Sequence, residues 1–347
     1  MTMTNSRHIA SLDGLRGLAA IMVVLSHITT IYPHLNFPVS GEIGSDAVAL
    51  FFALSGFLMA AIYGRRPLTL ETGLGFLVSR FARIYPVYIV AILFVLLLSK
   101  ISSLGYIEPM GGEVSVIRHV LMMGSSGVFW SVPPEIQFYL VFPLIWFCLA
   151  NPVRLQAMLY SVLGLLVVLG LLDFPGPGIL LISKLHFFMA GVVAGYLHHR
   201  SEGTRGTLLH GITALVGFVM LFTYQTLLPA LDVPSWGMPT ALAAALIVSA
   251  AAREHPLSAR VLAAAPLRFA GTISFSLYLF HKPVMFLTAL AMNGKVPDWV
   301  SLALSLVAAL VVATLVNRLW EAPARQAITA RWNRRKARLA RRLIPQA

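Results

Sequence analysis

The stretch WVSLALSLVAALVVATLVNRLW, residues 299–320, decides the fold class. A helix rises about 1.5 Å per residue, so about 20 apolar residues cross the roughly 30 Å hydrocarbon core of a bilayer. Nine further runs read the same way: 12–31, 46–63, 83–99, 131–149, 157–172, 179–198, 208–228, 237–251 and 268–291. The totals agree with this. Of 347 residues, 58% are hydrophobic and 11% charged, against about 25% charged in a soluble domain. So few charges cannot cover a water-soluble chain of this size. The expectation is an all-α, polytopic integral membrane bundle of about ten transmembrane helices.

Charge placement orients the bundle. An even number of spans puts both termini on one side. With the N-terminus cytoplasmic, the outer loops hold only Lys100, Arg118 and Lys295, and Lys184 and Lys282 fall inside spans. The other 21 of the 26 lysines and arginines lie on the cytoplasmic side. This is the positive-inside pattern, and it explains most of the net charge of +13 without nucleic acid. Arg7 and Arg16 precede an apolar stretch as in a signal peptide, but no small-residue cleavage site follows, so an uncleaved first helix is expected. The single cysteine, Cys148, excludes an intrachain disulfide and a cysteine metal cluster. Residues 1–325 are expected to form the membrane domain and 326–347 a basic cytoplasmic tail. In that tail Ile328, Trp332, Leu339 and Leu343 recur at helical spacing among arginines. Two readings fit, an amphipathic helix on the anionic leaflet or a solvated topology signal.

Ionisable groups inside a membrane are costly and usually face a cavity or a partner. The first run holds Asp13, Arg16 and His27. Eleven residues separate Arg16 from His27, which at about 100° each brings them to within roughly 20° on the helix, and about 16 Å apart along it. Asp13 falls about 40° from His27 on the same count. A fixed cation at the entrance and an imidazole deeper in suit an anionic ligand with a reactive end. The structural alternative is an Asp13–Arg16 pair and a His27 bonded to a neighbouring helix.

The residues around these three resemble the membrane-bound acyltransferase-3 family, which includes bacterial O-antigen, exopolysaccharide and nodulation-factor acetylases and macrolide acylases. The opening block is LDGLRGLAA, residues 12–20, followed by His27. FFALSGF at 51–57 is similar to the family's FFxLSGF and contains Ser55. Arg80 and Arg83, in RFARIYP at 80–86, resemble RxxRIxP. WSVPPEIQFYL at 130–140 looks like WSLxxExxFYLxxP and carries Trp130, Ser131, Glu135 and Tyr139. ISFSLYLFHKP at 273–283 resembles iSYslYLxHxP and carries His281. WEAP at 320–323 matches the glutamate-proline signature that closes the last helix. Many members place an aspartate directly before the LFF, whereas Asp46 here lies four residues further away. The secreted esterase-like domain of longer members is not in this sequence, so the chemistry is expected within the bundle or on a partner protein.

The resemblance implies a membrane-bound O-acyltransferase of the bacterial inner membrane. It would move an acyl group, usually acetyl, from cytoplasmic acyl-coenzyme A to an acceptor hydroxyl, with no permanently bound cofactor or metal. On that footing His27 is the general base, with an acyl-histidine relay as the alternative. Asp13 orients Arg16, and Arg16, Arg80 and Arg83 hold donor phosphates. Glu135 and His281 bind or polarise the acceptor, with Trp130, Ser131, Tyr139 and Ser55 completing the substrate site. A cell-surface or lipid-linked glycan is the first expectation for the acceptor, and a small hydroxylated metabolite such as a macrolide the second. A transporter or flippase is the rival from another class, since such polar groups also mark transport paths. It lacks inverted repeats in the sequence.

Overall fold

The computed structural model describes residues 8–35, 42–64, 66–172, 174, 177–200, 206–227 and 234–343. Among them fifteen α-helices follow one another without a strand: α1 Ala10–Ser26, α2 Ile28–Ile31, α3 Glu42–Tyr63, α4 Leu70–Lys100, α5 Glu113–Val120, α6 Val132–Leu149, α7 Pro152–Leu171, α8 Leu185–Arg200, α9 Leu208–Leu227, α10 Met238–Ala252, α11 Pro256–Leu262, α12 Ala265–Thr272, α13 Ser274–Met292, α14 Asp298–Val316 and α15 Ala322–Leu343. Arg7 lies outside the described residues. Each of the ten apolar runs coincides with helix. Seven helical segments are long and apolar enough to cross a bilayer: Ala10–Ile31, Glu42–Tyr63, Leu70–Lys100, Gly127–Leu149, Pro152–Leu171, Ser274–Met292 and Asp298–Arg338. In the three other runs the apolar helices are shorter: α8, the Leu208–Tyr224 part of α9, and α10. The protein is an all-α polytopic membrane bundle. Large apolar side chains on α7 and α14, such as Leu163, Val167, Val311 and Leu315, stand exposed. In water such a belt would drive aggregation, whereas lipid is its proper solvent.

Glycines set the closest helix contacts. Between α3 and α8, a Cβ on Gly56 would strike the Phe188 carbonyl, one on Gly191 the Ala53 carbonyl, and one on Gly195 the Phe57 carbonyl. Backbones approach this closely only across small residues, which is how helices associate where lipid removes the hydrophobic drive. The same device joins α1 to α11 and α12. A Cβ on Gly14 would meet Leu262, one on Gly17 would meet Leu267, and one on Gly271 would meet the Asp13 carbonyl. The glycines of LDGLRGLAA are therefore packing residues, and they bring Arg16 between them to the bundle interior.

Three elements differ from the periodicity. The run 268–291 is two helices rather than one, interrupted at Ile273 (φ −92°, ψ 3°). The break lets Gly271 lie against α1 and starts α13 at Ser274, beside Arg16. Helix α4 begins at Leu70, before its apolar run, under a reciprocal cap between Thr69 and Thr72. Its 31 residues make about 46 Å of helix, more than the hydrocarbon core needs. The segment after 320 continues as α15 and crosses residue 326 without interruption. It runs antiparallel along the N-terminal half of α4. Trp320 donates its indole N–H to the Pro86 carbonyl (2.9 Å), and Lys336 pairs with Glu71 (3.1 Å). Trp332 packs against Gly75 rather than standing free for lipid. The side chains of Leu339 and Leu343 lie outside the described residues.

The α3–α8 seam yields a stability test. Gly191→Val should cost about 1–3 kcal/mol by overpacking. It should lower the thermal unfolding midpoint in detergent, whereas Gly164→Val, where an added Cβ meets nothing, should leave the midpoint nearly unchanged.

Candidate active site

Two polar cavities lie inside the bundle. The first is lined by Arg16 of α1, Ser55 of α3, Arg80 and Arg83 of α4, Glu135 and Tyr139 of α6, and Ser274 and Tyr278 of α13. It lies toward the end of the bundle where α1 begins. Three guanidinium groups face one carboxylate there, so the cavity suits an anion. Arg16 donates one hydrogen bond, to Ser274 Oγ at 3.3 Å, which leaves most of its five donors for a ligand. The Arg80 guanidinium lies 5.8 Å from the ring centroids of both Tyr139 and Phe76, within cation–π range. Glu135 Oε1 accepts from Ser55 Oγ (3.0 Å) and from Tyr139 Oη (2.5 Å). The Ser55–Glu135 bond ties α3 to α6.

The second cavity lies toward the opposite end, between the close of α1 and the loop ahead of α6. Its lining includes His27, Ser45, Glu108, Trp130, Tyr278 and Lys282. His27 ends α1, where the backbone turns before α2. Its Nδ1 is 2.8 Å from the Val23 carbonyl and 3.2 Å from His281 Nε2. His281 Nδ1 in turn lies 3.1 Å from the Leu277 carbonyl and 2.9 Å from the Tyr278 carbonyl. A carbonyl only accepts, so both Nδ1 atoms carry the proton in the neutral rings. His281 Nε2 then accepts from His27 Nδ1–H, and the lone pair on His27 Nε2 is left for the cavity. Tyr278 and Val48 line both cavities and form the wall between them. The Tyr278 hydroxyl accepts from Ser131 Oγ (2.8 Å) and donates to the Val128 carbonyl (2.9 Å).

The loop between α4 and α6 closes the second cavity. Glu108 on that loop forms an ion pair with Lys282, whose side chain is only 5% exposed. Gly127 permits the approach: its φ is +51°, and a Cβ there would strike the Glu108 carboxylate. His119 on α5 braces the loop by donating from Nδ1 to Ser115 O (2.7 Å) and accepting at Nε2 from the Ser126 N–H (3.1 Å). Burial holds its pKa below the ordinary histidine value, which favours the neutral ring this acceptor role needs.

A family profile described as an acyltransferase domain matches residues 9–318, nearly the whole of the two-cavity bundle. The chain belongs to the acyltransferase-3 family. It is 25% identical, over 94% of its length, to the peptidoglycan O-acetyltransferase OatA of Listeria monocytogenes, 57% of which is covered. With the O-acetyltransferase OatA of Staphylococcus aureus it shares 24% identity over 93% of the chain and 58% of that relative. A shorter match, 43% identical over 23% of the chain and 40% of the relative, is to Protein 2 in picA locus of Rhizobium radiobacter. The chain thus spans well under two thirds of the length of these relatives. No solved structure matches it.

In this member of the family the residues singled out in the sequence fall into three places. Arg16, Ser55, Arg80, Arg83, Ser131, Glu135 and Tyr139 share the arginine cavity. His27 and Trp130 line the other cavity, with His281 fully buried behind His27. Asp13 lines neither and pairs with His8 at 2.7 Å. Its 40° offset on the helix turns the carboxylate away once Gly14 and Gly17 press α1 onto α11 and α12. Glu135, expected to bind or polarise the acceptor, lies among the arginines. The short helical turn Gly127–Ser131 precedes α6, and the Ser55 and Tyr139 hydroxyls draw the carboxylate into that cavity. Tyr278, Ser274 and Glu108 were not singled out. Tyr278 and Ser274 were visible within the ISFSLYLFHKP block, whereas nothing local marks Glu108, which meets Lys282 only across 174 positions of chain.

Removing Glu108 leaves Lys282 buried and unpaired, which costs more than removing both charges. Glu108→Gln should therefore lower the unfolding midpoint in detergent further than the double variant Glu108→Gln with Lys282→Met, as read by a thermal-shift assay.

Proposed function

We propose that this acyltransferase moves an acetyl group from acetyl-coenzyme A, held in the arginine cavity, to a hydroxyl of a cell-surface or lipid-linked glycan presented in the histidine cavity. One observation carries the reading: an arginine-lined cavity and a cavity holding a histidine with a free Nε2 meet back to back at Tyr278. The names of the two OatA relatives, both O-acetyltransferases, agree in kind with O-acetylation. The positive-inside charge bias supports an orientation in a bacterial inner membrane with both termini and the arginine cavity toward the cytoplasm, the side on which coenzyme A is found.

Arg16, Arg80 and Arg83 take the phosphates of the donor. The pantetheine arm then runs along α1 toward His27, about 16 Å away by helix rise, and the thioester passes the wall formed by Val48 and Tyr278. Trp130 offers an aromatic face and Glu108 a carboxylate to the acceptor sugar. His27 Nε2 takes the proton of the acceptor hydroxyl as its oxygen attacks the thioester carbonyl. The new C–O bond forms, the C–S bond breaks, and the proton passes from His27 to the departing thiolate, so the products are the ester and free coenzyme A thiol. Glu135, held by Ser55 and Tyr139, orients the arginines around the donor.

Two measurements test this. In liposomes with acetyl-coenzyme A and acceptor, His27→Ala should abolish thiol release while inserting normally, and retained transfer in that variant would sink the assignment. Arg16→Ala and Arg83→Ala should raise the KM for acetyl-coenzyme A more than they lower kcat. Donor saturation curves that match the parent would remove the arginine cavity from donor binding. Loss of an acetyl increment from the surface glycans of a deletion strain, read by mass spectrometry, would identify the acceptor class.

A further inference from the structure

We infer that His281 is the positioning residue of His27, filling the place that a carboxylate takes in a Ser-His-Asp triad. The inference rests on the reading of His27 as the base. A general base works best when a third group holds its ring and takes the hydrogen bond from the nitrogen opposite the reacting one. His281 meets each requirement. It is fully buried on α13 and lines neither cavity, so its ring is held by packing and has no route to a substrate. Its own Nδ1–H is committed to the Leu277 and Tyr278 carbonyls, at 3.1 and 2.9 Å. Its Nε2 can therefore only accept, and the group it faces is His27 Nδ1, at 3.2 Å.

The two rings lie 5.0 Å apart at 51°, an edge-directed arrangement rather than a stack. The Val23 carbonyl also accepts from His27 Nδ1–H, at 2.8 Å, but it belongs to the same helix and cannot register His27 against α13. His281 supplies that link, 254 residues away. A neutral acceptor suits the setting, because an ionised carboxylate at this depth would cost far more to bury than an imidazole. Electron density pushed toward His27 Nε2 makes that atom a better base when the acceptor hydroxyl loses its proton.

Two substitutions separate this role from mere packing. His281→Leu fills similar space and removes the acceptor, while His281→Gln keeps an amide oxygen near the place of Nε2. Removing an orienting partner of this kind costs on the order of 10–100-fold in activity. His281→Leu should lose kcat by that factor with the KM for acetyl-coenzyme A nearly unchanged, and His281→Gln should recover most of the loss. A readout independent of turnover is the rate at which diethylpyrocarbonate modifies His27 in the folded, substrate-free protein, followed on the His27 peptide by mass spectrometry. That rate should fall in His281→Leu and return in His281→Gln. Equal rates in the parent and both variants, or equal kcat losses in Leu and Gln, would overturn the role of His281. If His27→Ala retains transfer, the base assignment fails instead, and the modification rates still decide whether His281 acts on His27.

Discussion

Everything at the centre of the molecule depends on the contact between α1 and the segment running from α11 into α13. Glycines at 14, 17 and 271 let the backbones touch, and the two ends of that contact carry the chemistry. At one end Arg16 reaches Ser274; at the other His27 reaches His281. Both cavities thus share the same two helices as a common wall. A larger side chain at any of these glycines would part the helices, and Arg16 and His27 would lose their partners together. Sequence, packing and chemistry meet in the same nine-residue block.

Hydrocarbon imposes the second constraint. Polar groups that cannot reach water must be partnered inside the protein. Glu135 is held by Ser55 and Tyr139, and Glu321 accepts from Ser276 (2.5 Å) in the π-helical turn Asn317–Glu321. The Tyr32 hydroxyl pairs with Ser301 and Ser305 across to α14. All of these bonds except Tyr139–Glu135, which lies within α6, tie separate parts of the bundle together, so the polar groups that would serve chemistry also fix the bundle. The arginine cavity is the exception in charge. Its three cations face a single carboxylate, and that surplus attracts an anionic donor.

The family blocks were legible because each carries several rare residues at fixed spacing, and their order along the chain agrees with one architecture. The all-α membrane class followed from apolar length, although seven helical segments rather than ten are long and apolar enough to cross a bilayer among the described residues. Periodicity failed at Ile273, since a break of one residue leaves the apolar pattern intact. For the tail, the arginine-rich spacing left a lipid surface and a solvated topology signal open and gave no sign of packing on α4. Only the facing residues Glu71, Gly75 and Pro86 of α4 decide its place.

The amino-acid sequence by itself determined that this chain is a helical membrane protein with an acyltransferase pattern, because hydrophobic length and motif spacing are local properties. The tertiary structure alone decided that Glu135 joins the arginines while His27 joins His281, that Asp13 turns to His8, and that Glu108 closes on Lys282. The Ser55–Glu135, Glu108–Lys282 and His27–His281 contacts span 80, 174 and 254 positions of chain. They are settled by which helix faces meet, and helical periodicity fixes a face only relative to its own axis.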